Sequence, residues 1–155
     1  MRIRHASEER LPDINSLVAR SKAHWGWPPD YLAAALALMK ITPAYVRENL
    51  CFEVLEGEAV VGFFALAPSP ERRLLDHLWI EPERIGQGLG RFACDEMFDL
   101  ARRKGWADLT TFPDPPAEGF YLRMGFSDTG ERRRSGVPGG PVFSVFKITL
   151  DPGAN

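Results

Sequence analysis

Apolar and basic residues alternate over Met1–Ala6, the pattern of a half-buried strand, and Leu11, Ile14, Leu17 and Val18 then recur at helical spacing. Gly26, Pro28 and Pro29 break that pattern within His24–Asp30. Tyr31–Lys40, rich in Ala and Leu, reads as a second helix with prolines before its first turn. Thr42-Pro43 predicts an N-cap followed by proline at the first helical position, opening a short helix through Asn49. Cys51–Leu55 and Ala59–Ala67 are β-prone runs on either side of Glu56-Gly57-Glu58, the signature of an antiparallel hairpin, and Leu74–Ile80 is a third run. These three are expected as neighbours in the middle of a sheet. Pro82 stops the third, glycines follow at 86, 88 and 90, and Phe92–Arg103 resumes helical spacing before Gly105. Ala107–Phe112 then reads as a strand, Pro113–Pro116 as a rigid loop, Ala117–Met124 as a short helix and Val142–Leu150 as a last strand, with Gly136–Pro141 a loop between late strands. The pattern predicts a mixed α/β sheet with helices on its faces, one domain over residues 1–150 and a frayed tail over Asp151–Asn155.

Composition narrows the class. At 155 residues with 45% hydrophobic and 26% charged positions, the chain suits one globular core that needs no staples. Its two cysteines, Cys51 and Cys94, form no C-x-x-C pair and lie near no histidine cluster, so neither a metal site nor a disulfide scaffold is expected. The net charge of -2, with basic residues scattered in short groups, argues against nucleic acid as the main partner. Met1–Arg10 has no apolar run, and no stretch approaches about 18 apolar residues, so the expectation is a cytoplasmic protein with no membrane partner.

The candidate chemistry begins at Ile80-Glu81-Pro82-Glu83-Arg84-Ile85-Gly86-Gln87-Gly88-Leu89-Gly90-Arg91, where a strand passes into a helix through three alternate glycines. Without Cβ atoms the chain turns tightly and approaches a ligand closely, while the first helical turn offers unpaired N–H donors and the positive end of its dipole. That is an anion cradle, to which Arg91 or Arg84 adds charge. A Walker loop would need Lys and then Ser or Thr after the last glycine, where Arg91 and Phe92 stand. A dinucleotide fingerprint needs G-x-G-x-x-G opening a parallel fold; the spacing here is G-x-G-x-G after a hairpin.

A second segment, Ala117-Glu118-Gly119-Phe120-Tyr121-Leu122-Arg123-Met124-Gly125-Phe126, gives that loop a context. Together the two resemble the GNAT superfamily of acyl-CoA-dependent N-acyltransferases. The first is similar to the family's pyrophosphate-binding motif, with Gly88 and Gly90 at its glycine positions, and the second to its A-x-x-F-Y-x-x-x-G-F element. The resemblance covers roughly Leu74–Phe126 and implies a mixed, mostly antiparallel sheet of about six or seven strands flanked by about four or five helices. Two positions depart from the family. Ile85 stands where relatives usually carry Gln or Arg, and Asp114 where an asparagine is common, placing an anion near the phosphates.

The resemblance implies transfer of an acetyl group from acetyl-CoA to an amine by direct attack in a ternary complex, with a non-catalytic acyl-CoA-binding domain as the other reading. Acetyl-CoA contacts are then expected from the strand end Leu78, Trp79 and Ile80, from Ile85, Gly86, Gln87, Gly88, Leu89, Gly90 and Arg91, and from Asp114, Ala117, Phe120, Tyr121 and Arg123. An amine with a pKa of about 10.4 must lose a proton to attack. By alternation Asp76 shares a face with Leu78 and Ile80, and His77 with Leu75 and Trp79, so only one of the two bases is expected to face the ligand. Asp76 matches the acidic position of relatives; His77, with an ordinary pKa of about 6.5, is the alternative. The resemblance assigns Tyr121 as the donor that protonates the leaving sulfur, and a main-chain N–H around Leu78–Ile80 as the oxyanion donor if that strand splays from the next. Cys94, one turn into a helix among apolar neighbours, reads as core rather than as an acyl carrier. His24, Trp25 and Trp27 are candidates for the acceptor pocket of a small-molecule amine, and the apolar last strand is a candidate edge for a homodimer.

Overall fold

The computed structural model describes residues 1–151. Of the expected tail, all but Asp151 lies outside the described residues. Arg2–His5 (β1), Leu50–Glu56 (β2), Ala59–Pro68 (β3), Arg73–Ile80 (β4), Asp108–Thr111 (β5), Ser127–Arg134 (β6) and Val142–Thr149 (β7) form one sheet in the order β1-β2-β3-β4-β5-β7-β6. Every pairing is antiparallel except that of β4 with β5. The α-helices are Leu11–Ala23 (α1), Pro29–Leu38 (α2), Pro43–Glu48 (α3), Leu89–Arg103 (α4) and Glu118–Arg123 (α5). Among the described residues no helix is long and apolar enough to cross a membrane.

The helices form where the sequence punctuates them. Thr42 caps α3, its Oγ1 accepting from the Tyr45 N–H at 3.1 Å, with Pro43 in the first turn. Helix α1 turns Leu11, Ile14, Leu17 and Val18 against Phe63 and Ala65 of β3. Helix α4 turns Leu89, Ala93, Cys94, Met97, Phe98 and Ala101 against the opposite face, where Phe64, Leu66 and Leu75 wait. Two apolar layers therefore sandwich the sheet, and each buried Leu or Phe contributes about 1.5–3 kcal/mol.

Three expectations need correction. Ser127–Arg134, which shows no apolar alternation, is a strand exposed along its whole length. It pairs with β7, so β7 lies inside the sheet and offers no edge for a second copy; the edges are β1 and β6. The alternation assumed along Leu74–Ile80 also fails. Ala65 pairs with His77 and Leu66 with Leu75, which leaves Asp76 as an extra residue in a bulge. Leu75 therefore faces the α4 layer with Leu78 and Ile80, while Asp76 and His77 come to the same side, the α1–α3 layer.

Candidate active site

Strands β4 and β5 share a single register pair, Leu74 with Thr110, after which Thr111 Oγ1 donates to the Leu75 carbonyl at 3.1 Å and the strands part. On its other side β4 stays on the ladder of β3. Glu81 donates to the Val61 carbonyl at 2.9 Å, and counting back in the antiparallel register assigns Trp79 and His77 to the same ladder. The N–H and C=O groups of Leu78 and Ile80 therefore face the gap. A cleft of about 730 Å³ runs through it and joins the two faces of the sheet.

The glycine loop forms one end of this cleft. Gly86 and Gly88 take φ of 85° and 86°, the left-handed region in which a Cβ costs about 1–2 kcal/mol. The Ile85 amide bonds back to Pro82, and the first bond into α4 runs from Phe92 to the Gly88 carbonyl. Among the described residues, the six amides from Gly86 to Arg91 have no acceptor. Gly90 serves a different purpose: a Cβ there would come within 2.9 Å of the Phe120 ring. The two sequence motifs thus meet in space, α5 lying against the start of α4 because Gly90 is bare.

Ile85, Gly86, Gly88, Gly90, Arg91, Asp114, Ala117, Phe120, Tyr121 and Arg123 all line the cleft, with Asp76, His77, Leu78, Trp79 and Ile80. Gln87 and Leu89 contribute no side chain to it. Gln87 accepts from Arg84 and donates to the Glu83 carbonyl, and Leu89 is buried in the core. Trp25 reaches the cleft, but His24 stands edge-on to Trp25 outside it, and Trp27 packs on Tyr31 in a small cluster with Ala35 and Val137. Gly26, at φ 76° between Trp25 and Trp27, turns the chain there.

Asp114 is not the bare anion expected. Lys22, at the end of α1, donates to both its carboxylate oxygens at 3.0 Å, and the Lys22 side chain is only 4% exposed. The ammonium also lies 5.1 Å from the Trp27 ring centroid and 5.7 Å from those of Tyr31 and Trp79. Sequence reasoning missed Lys22, although it stands on the buried stripe of α1, four residues after Val18. It also missed Tyr45, whose hydroxyl donates to Asp76 Oδ2 at 2.5 Å.

The acid–base groups differ in readiness. Burial draws the pKa of His77 down against the pull of Asp76, so the ring is held neutral. The Trp79 indole N–H, which can only donate, points at His77 Nδ1 from 2.9 Å, so that nitrogen is an acceptor and Nε2 carries the ring hydrogen. Tyr121 is buried between the rings of Phe120 and Phe126; burial, and less strongly Cys94 and Asp114, raise its pKa above the ordinary phenol value. Burial likewise pushes the Cys94 thiol up to about 12, which leaves no thiolate to carry an acyl group.

Comparison with known proteins places the chain's family and fold. Residues 13–126 match the model of the Acetyltransferase (GNAT) family. The chain is 32% identical over 111 residues to human N-acetyltransferase 8B, a match covering 64% of this chain and spanning about half (49%) of that protein's length. Among solved structures it superposes on PaiA N-acetyltransferase from Thermoplasma acidophilum in complex with coenzyme A (TM-score 0.78, 16% identity, 96% of this chain and 98% of that one). It also superposes on the ribosomal-protein-S18-alanine N-acetyltransferase of Escherichia coli (TM-score 0.71, 17% identity, 96% and 93%). With the free amides of the glycine loop, the parted strands and Tyr121 on one cleft, the match over residues 13–126 means that this chain belongs to the acetyltransferase (GNAT) family.

Proposed function

We propose that the protein transfers the acetyl group of acetyl-CoA to the primary amine of a small molecule with an apolar body, both substrates bound together. The observation that carries this reading is the row of acceptor-free amides from Gly86 to Arg91 at one end of the cleft, with Tyr121 and Asp76 further along it. A diphosphate fits those amides and the N-terminal dipole of α4, with Arg91 and Arg123 at hand. The Lys22–Asp114 pair removes the repulsion that a free carboxylate would bring. Bound there, acetyl-CoA supplies a thioester carbonyl, and every remaining task falls to the chain.

The main-chain groups of Leu78 and Ile80 along the gap align a pantetheine-like arm as an added strand, and the Leu78 N–H is placed to donate to a developing oxyanion. Asp76 takes one proton of the bound ammonium, directly or through a water, so that the neutral amine attacks the thioester carbon; as the C–S bond breaks, the tetrahedral nitrogen gives up a second proton, which replaces the one Tyr121 hands to the sulfur. His77 is unsuited to that task, because its only lone pair is engaged by Trp79. Tyr121 holds its proton and delivers it from Oη to the departing sulfur. On the acceptor side the cleft is walled by Trp25, Ala35, Leu38, Met39, Val137 and Phe143. That wall favours an amine on an apolar or aromatic body over a polyamine or a polar peptide.

The test follows free thiol on mixing the protein with acetyl-CoA and 2-phenylethylamine, spermidine, free lysine or a peptide with N-terminal alanine. Thiol release is expected chiefly with 2-phenylethylamine. Release chiefly with the peptide would overturn the small-molecule acceptor. Thermal stabilisation by acetyl-CoA with no amine-dependent release would make the protein a binder rather than an enzyme.

A further inference from the structure

The bulge that brings Asp76 and His77 to one side of β4 also turns Tyr45 and His77 toward one oxygen of Asp76. Tyr45 Oη donates to Asp76 Oδ2 at 2.5 Å from α3, an element that otherwise packs on the α1 layer. His77 Nε2 lies 3.8 Å from the same Oδ2, its hydrogen fixed there because Trp79 Nε1–H takes Nδ1 at 2.9 Å. The Tyr45 ring stands edge-on to His77, centroids 5.5 Å apart, and Phe63 closes the far side of the imidazole at 6.1 Å. Asp76 Oδ1, by contrast, accepts no hydrogen bond among the described residues, and the Asp76 side chain is 34% exposed on the cleft.

We propose that Tyr45 is a positioning residue which, through its hydrogen bond to Oδ2, clamps the Asp76 carboxylate and reserves Oδ1 for the acceptor amine, with His77 Nε2–H turned toward the same Oδ2 but not bonded to it. The inference rests on the reading of Asp76 as the base. A carboxylate on a bulge has no ladder neighbours to hold its χ angles, and an unclamped one spends much of its time turned away from the amine. Fixing one oxygen selects the rotamer in which the other faces the cleft, and such near-attack placement acts on turnover rather than on substrate affinity. His77 has no proton-accepting role in this arrangement. Its ring is held by Trp79, which itself lines the cleft and touches Lys22.

Two measurements test this. In the first, Tyr45→Phe is compared with Asp76→Asn, using acetyl-CoA and 2-phenylethylamine. Tyr45→Phe is expected to lower kcat by about 10- to 100-fold with the KM for acetyl-CoA and its thermal shift unchanged, a KM-against-kcat split that a merely structural role would not give. Unchanged kcat in Tyr45→Phe beside an inactive Asp76→Asn overturns the clamp and leaves the base standing; an active Asp76→Asn overturns the base. The second needs no acceptor: nitrogen NMR of the ring of His77 in the free protein at neutral pH. The Nε2–H tautomer is expected, reverting to a mixture in Trp79→Phe. An Nδ1–H tautomer in the wild-type protein overturns the orientation of His77 toward Asp76 Oδ2 whatever amine the enzyme prefers.

Discussion

A hydroxyl can protonate a leaving thiolate only if it still holds its own proton at the pH of turnover. Burial keeps Tyr121 in that state, with Cys94 and Asp114 adding to the shift, so its phenol stays neutral through and beyond the ordinary phenol value of about 10. The sign for activity follows: a raised pKa moves the loss of the acid form to higher pH, and kcat should show no alkaline fall due to Tyr121 below about pH 10. Tyr121→Phe is expected to lower kcat by about 100-fold while leaving the KM for acetyl-CoA and the fold unchanged. A pH–rate series on both proteins checks this. If the wild-type enzyme loses kcat with a midpoint of about 9 or lower and the phenylalanine variant lacks that limb, the donor is less shielded than its burial implies. The phenol ring itself packs between Phe120 and Phe126, so deleting only the oxygen leaves the contacts of α5 in place.

At the scale of elements, the cleft is spanned by a tie between two segments far apart in the chain. Lys22 closes the last turn of α1, and Asp114 opens the turn that leads into α5 and Tyr121. Both side chains are largely buried, so removing one partner strands the other's charge. Lys22→Met should cost about 3–5 kcal/mol and lower Tm by about 10 °C in a domain of this size. Replacing both, Lys22→Met with Asp114→Leu, should recover most of that loss, since a buried pair often contributes little over a packed apolar one. Differential scanning calorimetry decides it; a single variant that melts with the wild type would mean that water reaches Asp114. Nothing in the sequence paired these residues, 92 positions apart, although the place of Lys22 on the apolar stripe of α1 marked it as a buried charge in need of a partner. The hairpin of β2 and β3, the cap of α3 and the turn into α4 were legible because each depends on a few adjacent residues. Strand β6 was not, because Ser127–Arg134 owes its extension to β7, with Thr129 Oγ1 donating to the Val145 carbonyl at 2.8 Å, rather than to any alternation of its own. The bulge at Asp76 escaped for a related reason: alternation counts residues, and one unpaired residue inverts the faces beyond it. The glycine loop and Tyr121 could be placed on the cleft from sequence, whereas the partners that orient Asp76 could not.

For the molecule as a whole, the cleft exists because the sheet changes character at its middle. From β1 to β4 the strands form an antiparallel ladder closed on both faces, and β5, β7 and β6 form a second one. Among the described residues, the seam between them is a parallel pairing that lasts one register pair, so the two halves diverge and leave polar main-chain groups of β4 facing the gap. A ligand that satisfies those groups and the loop amides at once joins the two half-sheets and stabilises the native state by mass action. At a concentration of about 100 times Kd, acetyl-CoA should add about 2.7 kcal/mol and raise Tm by about 5–10 °C. ATP and NAD share the diphosphate but have no extended amide-bearing arm to pair along Leu78 and Ile80, and at equal concentration each should shift Tm by less than half as much. Coenzyme A without the acetyl group should match acetyl-CoA, since the arm and the diphosphate rather than the acyl group make those contacts. An equal shift by ATP would locate the binding free energy in the glycine loop alone and leave the parted strands without a part in recognition.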